Sequence, residues 1–510
     1  MSPILTRVAL AVPFLSLVAA PAAAQCALSI TPLSIAAPLP FGSLVNRTLL
    51  WDPDGPGPAP ESLVVAGFFQ TAGGVPCNSV ARLDLATGTW SAFGQGVAYE
   101  VIGAAAAPNG DLVVGGLVGF NQGRVDVWDG ATWTTLPTFD GAVWSVAVLP
   151  NGDIVAGGDF TLAGGVACQR VARWSGTAWN AMGAGLVSRP RRMQVRPDGT
   201  LLAGAPHTGS GLPGDPAMAS WNGTAWSGVA ADPVVQPALV QDFFVRPNGN
   251  ILIAGGLIFL SPTPVFAQVA EWSGAAWSPL GGGVNGPALS IAEAPDGSVL
   301  AAGFFTQAGG VAVNNLARFD GVAWTAVAGG LGAGPTHQVF DQVATPQGDV
   351  FFGGFFGNPP SAPTENLAVV RSSCPGTTSP FGQAGSGSAG QLLLAPANLP
   401  WIGGTFFAAA AQFAPNSLAI SAIGFSTASV PMSSIFPQAF PGSTLLLVPD
   451  RTIDSVILGG ATLVQIPIPD LAVLVGFRFY LQTFGIEFSP GGVLTGIVSS
   501  NALDLTIGQF

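Results

Sequence analysis

The sequence predicts an all-β chain: a seven-bladed β-propeller closed by its N-terminal strand and followed by a small β-sandwich. Three observations predict it. An apolar strand ending in Gly recurs at Gly67, Gly115, Gly157, Gly204, Gly255, Gly303 and Gly353, and a period of 40–50 residues marks radially repeated sheets. Gly and Pro, 70 and 44 residues of 510, punctuate the chain every 10–15 residues and leave no room for long helices. Paired aromatics, five residues apart, follow most of the Gly-ended strands. Four short antiparallel strands per repeat make one blade.

The third unit shows how each element is read. Strand A is 143–149, strand B is 154–158, strand C is 170–174 and strand D is 179–182. Pro150-Asn151-Gly152-Asp153 joins A to B, a composition that suits a tight hairpin because Pro pre-sets φ and Gly accepts positive φ. Related turns begin at Pro53, Pro108, Pro197, Pro247, Pro295 and Pro346. Between C and D, Ser-Gly, Asp-Gly or Asn-Gly separates Trp128 from Trp133, Trp174 from Trp179, Trp221 from Trp226 and Trp272 from Trp277, with Phe319 and Trp324 as a fifth version. Rings so placed face each other across a hairpin, and their regular recurrence predicts packing between blades rather than exposed sugar platforms.

The last copy has A near 338–345, B near 350–354 and C near 366–371, then stops. Residues 28–40 are expected to supply its missing D strand and so remove an exposed sheet edge. Cys26 stands just before that segment and Cys374 just after the last C strand, which predicts a Cys26–Cys374 disulfide in place of the C–D turn. Cys77 and Cys168 occupy a place held by Val313 in another repeat and read as small buried hydrophobes.

Residues 1–24 read as a secretory signal: Arg7, an apolar run from Val8 to Ala20, and Ala22-Ala23-Ala24 before Gln25. The mature chain is expected outside the cytoplasm, secreted or at the cell surface, where disulfides persist. No later run of 18 apolar residues predicts a membrane span. The propeller is assigned to 25–374, a Gly/Ser-rich linker to 375–390 and the β-sandwich to 391–510.

With the turns and Gly doublets in view, Val80 to Trp90 resembles the kelch pattern, and Gly157-Gly158-Asp159-Phe160-Thr161-Leu162-Ala163-Gly164-Gly165-Val166 resembles the repeats of secreted bacterial proteins described as Rax2-like or delta-60-like. The resemblance covers about 30–370 and implies a propeller; it implies no particular activity.

Net charge is −12 and Lys is absent, so the basic footprint of a nucleic-acid binder is missing. A galactose-oxidase-type copper site needs two Tyr and two His near one another, and the chain holds only Tyr99 and Tyr480. Tyr99-Glu100 would point to opposite faces of a strand and make a poor nucleophile–base pair. No catalytic constellation, metal set or cofactor motif is found. One charge cluster stands out: Arg189, Arg191, Arg192 and Arg196, between D of the third unit and A of the fourth. Strand polarity puts the D–A and B–C loops on one face, which gathers Arg189, Arg191 and Arg192 with His207 and His337. These five are the candidate ligand residues, for an anion such as an acidic glycan; pairing with neighbouring acids is the competing reading. The expected role is a non-enzymatic binding or scaffold protein with a protein or glycan partner. The alternative is an extracellular polysaccharide hydrolase or lyase, favoured if two carboxylates meet at the propeller mouth.

Overall fold

The computed structural model describes residues 28–33, 35–36, 43–54, 59–119, 121–206, 215–231, 235–259, 265–331, 337–345, 348–356 and 366–509. The described chain is an all-β propeller repeat protein with a C-terminal β module. Seven four-stranded antiparallel sheets precede residue 374 among the described residues. Their inner strands are Leu44–Trp51, Glu100–Ala106, Val143–Val148, Met193–Val195, Val235–Val245, Ala288–Glu293 and Gln338–Ala344. Each packs beside the neighbouring sheet, and Leu44–Trp51 also packs on Gln338–Ala344. The seventh sheet takes Leu28–Leu33 as its fourth strand, antiparallel to Leu367–Ser372.

Nearly all B strands are buried on both faces, as in Ser62–Phe68 and Ile154–Gly158. A strand buried twice must be apolar throughout, hence runs such as Leu63-Val64-Val65-Ala66. Each sheet buries these runs against its neighbours, so one apolar cluster joins Val113, Val125, Val146 and Ala156 of adjacent sheets. Three sheets carry an accessory hairpin between B and C, with Ala-Gly-Gly at its tip: 72–74, 163–165 and 308–310. Both glycines have positive φ, 55° and 83° at Gly164 and Gly165, which a two-residue turn of this hand demands. The Ala ahead of them is fully buried at 72, 163 and 308.

The aromatic pairs meet directly across the C–D hairpin: Trp174 opposes Trp179 with ring centroids 5.6 Å apart, and Trp128 with Trp133, Trp221 with Trp226 and Trp272 with Trp277 follow the same register. They also act between sheets. The Trp133 indole N–H donates to Phe93 O, Trp179 to Pro137 O, Trp226 to Met182 O and Trp324 to Leu280 O, at 2.8–3.0 Å. Every one of these carbonyls belongs to the residue or two that leave the preceding sheet's outer strand.

Beyond residue 374, a five-stranded and a three-stranded sheet share one apolar core, with Phe406, Ala408 and Val464 from one and Leu481, Leu503 and Leu505 from the other. The 375–390 segment is not a bare linker: Thr377–Phe381 is a strand paired with Leu494–Thr506. Gly and Ser there serve a short hairpin, 386–391, instead of a spacer. Arg451–Ser455 and Ala461–Pro467 are separate strands, and Gly459-Gly460 between them are both at positive φ. Trp401 of this module, 2% exposed, sits in a propeller cluster with Ala294, Leu300 and Val350. Its ring fills the space a Cβ at Gly348 would need, 2.1 Å away.

Cys77 and Cys168 are free thiols, and burial pushes each up to about 11. The predicted Cys26–Cys374 bond lies, at its Cys26 end, outside the described residues, as does the signal segment.

Replacing Trp179 by Phe keeps most of the ring and removes the donor to Pro137 O. Unfolding free energy should fall by about 1–3 kcal/mol, the cost of stranding one buried acceptor. Urea titration of wild type and variant reads it directly, and an unchanged midpoint would mean the indole bond contributes nothing.

Candidate functional site

Six of the seven inner strands break register by a β-bulge at the same level, and Val235–Val245 breaks it a second time at Pro237/Leu239. The shifts fall at Val45/Arg47, at Gly115/Gly116 opposite Ile102, and at Val143/Ser145, Val240/Asp242, Ala288/Ser290 and Val339/Asp341. A bulge adds one residue and re-aims side chains. The residue after each bulge lies at the inner edge of its sheet: Arg47, Gly103, Ser145, Asp242, Ser290 and Asp341. Arg192 holds the matching position in the fourth sheet, where the Gly204 N–H donates to Arg192 O.

Four of these seven are charged, and they join. Arg47 Nη1 lies 3.3 Å from Asp341 Oδ1. Arg192 reaches the same oxygen at 3.4 Å and Asp242 Oδ1 at 3.5 Å. The carboxylates are further held by the Thr48 N–H on Asp341 at 2.7 Å and by Ser290 Oγ and the Ile291 N–H on Asp242 at 3.1 Å. Arg47 also donates to Ile102 O and Arg191 O, spanning the first, second and fourth sheets. Asp341 and Asp242 are both buried. Burial pushes the Asp242 carboxyl above its ordinary range against the pull of Arg192, and burial pushes Arg47 down against the pull of Asp341. Where Gly103 and Ser145 stand, no long side chain fills the axis. A cavity of about 260 Å³ opens there, walled by Ala104, Ala106, Val146 and Val148 and ended by Arg47 and Arg192.

The five predicted ligand residues part company. Arg192 belongs to this axial network, held there by its ion pairs with Asp242 and Asp341. Arg189 pairs with Asp159 at 2.7 Å and stacks on Trp144, its guanidinium carbon 4.6 Å from the ring centroid. Arg191 stacks on the same indole at 4.7 Å. Trp144 is fixed by its own N–H to Asp159 Oδ2 at 2.8 Å. Among the described residues no carboxylate lies within salt-bridge distance of Arg191, and its buried Nε has no hydrogen-bond partner. Burial, then the adjacent Arg189, push its guanidinium down. His207 lies outside the described residues. His337 is half-buried and its carbonyl accepts from Asn315 Nδ2. The structure therefore joins Arg189 and Arg191 through Trp144, a residue sequence reasoning passed over. Tyr99 and Glu100 do diverge: Tyr99 donates to Asp126 at 2.8 Å, and Glu100 accepts from Asn46 at 3.0 Å.

On the opposite, A–B face, a cleft of about 520 Å³ separates the fifth and sixth sheets from the C-terminal module. Its charges are largely paired. Arg246 bridges Glu271 at 3.2 Å and Glu293 at 3.0 Å, and Arg318 pairs with Asp296. Among the described residues no group of three or more His, Cys, Asp or Glu is placed to hold a metal ion.

The pattern of a domain of unknown function (DUF5122) beta-propeller matches residues 62–89 and 294–321. Both stretches run from strand B through strand C, in the first and sixth sheets. No curated protein matches the chain. Among solved structures, virginiamycin B lyase from Staphylococcus aureus is similar at 9% identity, over 68% of this chain and 99% of that one, with a TM-score of 0.42. The β-propeller domain of the Trilobed protease from Pyrococcus furiosus aligns at 12% identity over 64% and 97%, with a TM-score of 0.34. The extracellular domain of a one-component system from B. thetaiotaomicron aligns at 8% identity over 92% and 58%, with a TM-score of 0.38.

Asp341→Ala leaves Arg47 and Arg192 at the axis without their shared carboxylate. Removing one partner of a buried ion pair costs about 3–5 kcal/mol, so the variant should unfold at clearly lower denaturant. A loss below about 1 kcal/mol, the range of exposed pairs, would mean that water reaches the axis and the network is superficial.

Proposed function

We propose that the chain is an exported, non-enzymatic binding or scaffold protein. In this reading seven blades, closed by Leu28–Leu33, carry a ligand on the D–A and B–C loop face, and the C-terminal module is a β-sandwich acting as a second contact unit. Seven four-stranded sheets and the pairing of Leu28–Leu33 with Leu367–Ser372 support the closed ring. The core shared by the two C-terminal sheets supports the sandwich. The kelch-like, Rax2-like assignment rests on the Ala-Gly-Gly hairpins, two of which lie inside the DUF5122 matches. Export rests on the character of residues 1–24.

The Cys26–Cys374 disulfide is part of the same proposal. Paired residue numbers along this ladder keep a constant sum, and Leu28 opposite Ser372 extends to position 26 opposite 374. Cross-strand neighbours at that spacing suit a disulfide.

One observation carries the binding role: the Arg191 guanidinium, stacked on Trp144, makes no ion pair among the described residues, the nearby Asp159 being engaged by Arg189. Two guanidinium groups sharing one carboxylate favour an anionic partner. The alternative, a polysaccharide hydrolase or lyase, draws on Asp242 and Asp341, two carboxylates that share Arg192. With side chains 4% and 0% exposed, neither can touch a polymer unless the ring opens.

Two experiments test this reading. On an acidic-glycan array the mature chain should retain anionic glycans, and Arg191→Ala should lose that retention while Arg196→Ala keeps it; equal retention by both would remove the site. Intact-mass analysis under non-reducing conditions should show one disulfide, Cys26 to Cys374. Cys77 and Cys168, pushed up to about 11, should alkylate at pH 8 roughly a hundredfold more slowly than an ordinary thiol of pKa about 8.5. Rapid native labelling of all four cysteines would refute both statements.

A further inference from the structure

A second ring of positions lies one residue before the axial one and nearer the D–A face, bulged in six of the seven sheets. Sequence makes the level regular: in six sheets this residue stands six positions ahead of the turn proline, as Trp144 does before Pro150 and Arg191 before Pro197. In the order of the sheets the positions are Asn46, Ile102, Trp144 and Arg191, then Gln241, Leu289 and Phe340. All seven are half-buried, whereas the axial charges below them are mostly buried. Members from neighbouring sheets touch, as Arg191 on Trp144 demonstrates, and Asn46 reaches across to Val101 O at 2.8 Å.

The ring is chemically lopsided. Its fourth sheet contributes Arg191, which makes no ion pair among the described residues. The sixth and seventh contribute the apolar Leu289 and Phe340. Gln241, in the next sheet, makes no side-chain hydrogen bond among the described residues, and both N–H bonds of the Asn46 amide are taken while its Oδ1 accepts none there. The floor is closed by the neutral set of two arginines and two aspartates. One fixed cation, two apolar side chains at the same level, the Gln241 amide and the accepting Asn46 Oδ1 form a seat for a small ring with a carboxylate on one edge and hydroxyls on another. Planar guanidinium prefers the planar carboxylate, which it can grip by two parallel bonds, and an apolar wall suits the C–H face of a pyranose.

We infer that this bulge ring is the recognition site for a carboxylated saccharide, with Arg191 taking the carboxylate, Phe340 and Leu289 the sugar's apolar face, and Gln241 and Asn46 its hydroxyls. The inference rests on the anion-binding reading above and narrows it to one ligand class and one set of positions.

Calorimetric titration of the mature chain with tri-galacturonate, with the neutral galactose trimer and with a sulfated galactan trimer tests it. The galacturonate should bind at least about tenfold more tightly than either comparator, a difference within reach of one guanidinium–carboxylate pair. Arg191→Gln should remove that preference. Phe340→Ala and Gln241→Ala should each weaken galacturonate binding by about five- to tenfold, the scale of a single contact, with unchanged thermal midpoints. Galacturonate binding that depends on Arg191 but not on Phe340 or Gln241 would overturn the ring while leaving the anion reading intact. Sulfated galactan binding as tightly as galacturonate would overturn the carboxylate assignment. No binding of any acidic trimer would overturn both.

Discussion

The fold depends on a hydrogen bond that runs between sheets, not within them. Strand ladders hold each four-stranded sheet together but leave it a flat unit with two apolar faces. Burying those faces brings sheets together without fixing their angle or height, since apolar contact is non-directional. The outer-strand indoles supply the direction. From Trp133, Trp179, Trp226 and Trp324, one N–H reaches the carbonyl that leaves the preceding sheet. Because donor and acceptor sit at the same place in each repeat, every such bond imposes nearly the same rotation. The partner aromatic at the end of strand C stacks beside the indole and limits its swing, as Trp174 does for Trp179.

Regular outer bonds leave the inner strands to converge, and there the bulges matter. An unbroken strand would alternate its side chains between the two sheet faces. The extra residue shifts the phase once, so that one side chain per sheet comes to the axis and its predecessor to the rim. Charge at the axis is costly to desolvate, and the chain offsets the cost by sharing. Asp341 serves Arg47, Arg192 and the Thr48 N–H, while Asp242 serves Arg192, Ser290 and the Ile291 N–H. These contacts link the first, fourth, fifth, sixth and seventh sheets. A sheet displaced along the axis would lose its partner, so the network selects one arrangement of sheets that apolar packing alone would not distinguish.

Much of this was legible in the sequence, and the reasons for what was not are specific. Repeat length, strand order and the Trp pairs were readable because each is a local pattern multiplied by the number of copies. Three arginines in four residues look like one surface cluster, yet the neighbours differ: Arg192 pairs with Asp242 and Asp341 while Arg191 stacks on Trp144. A signal was nonetheless present: Gly103, Ser145, Arg192, Asp242, Ser290 and Asp341 all stand five residues ahead of a turn proline. Aligning that column would have shown one basic and two acidic residues beside Gly and Ser. Trp144 was missed although Phe139 stands five residues ahead of it, because it lies on an inner strand A and not in a C–D hairpin. The strand at Thr377–Phe381 was missed because an edge strand against Leu494–Thr506 tolerates the Ser and Pro that elsewhere spell linker.

The same copy-by-copy comparison explains why the C-terminal module sits where it does. In the third, sixth and seventh sheets an Arg on strand C pairs with an Asp of the A–B turn: Arg173 with Asp153, Arg318 with Asp296, Arg371 with Asp349. In the fifth sheet the signs are exchanged, Glu271 on strand C and Arg246 at the turn. Arg246 then extends to Glu293 and Gly297 O of the sixth sheet, tying two turns into a firm platform on the A–B face. Trp401 enters beside that platform, against Ala294 and Leu300, and its ring requires the bare Cα of Gly348 in the seventh. The chain's end returns to the same place, where the Gln509 N–H donates to Cys374 O and the Gly508 N–H to Pro400 O. Cys374 directly follows the strand that Leu28–Leu33 completes. The module thus bears on the one sheet assembled from distant parts of the chain, which is the sheet with the most to lose from fraying. The module lies on the A–B side of the sheets, opposite the side that carries the D–A and B–C connections.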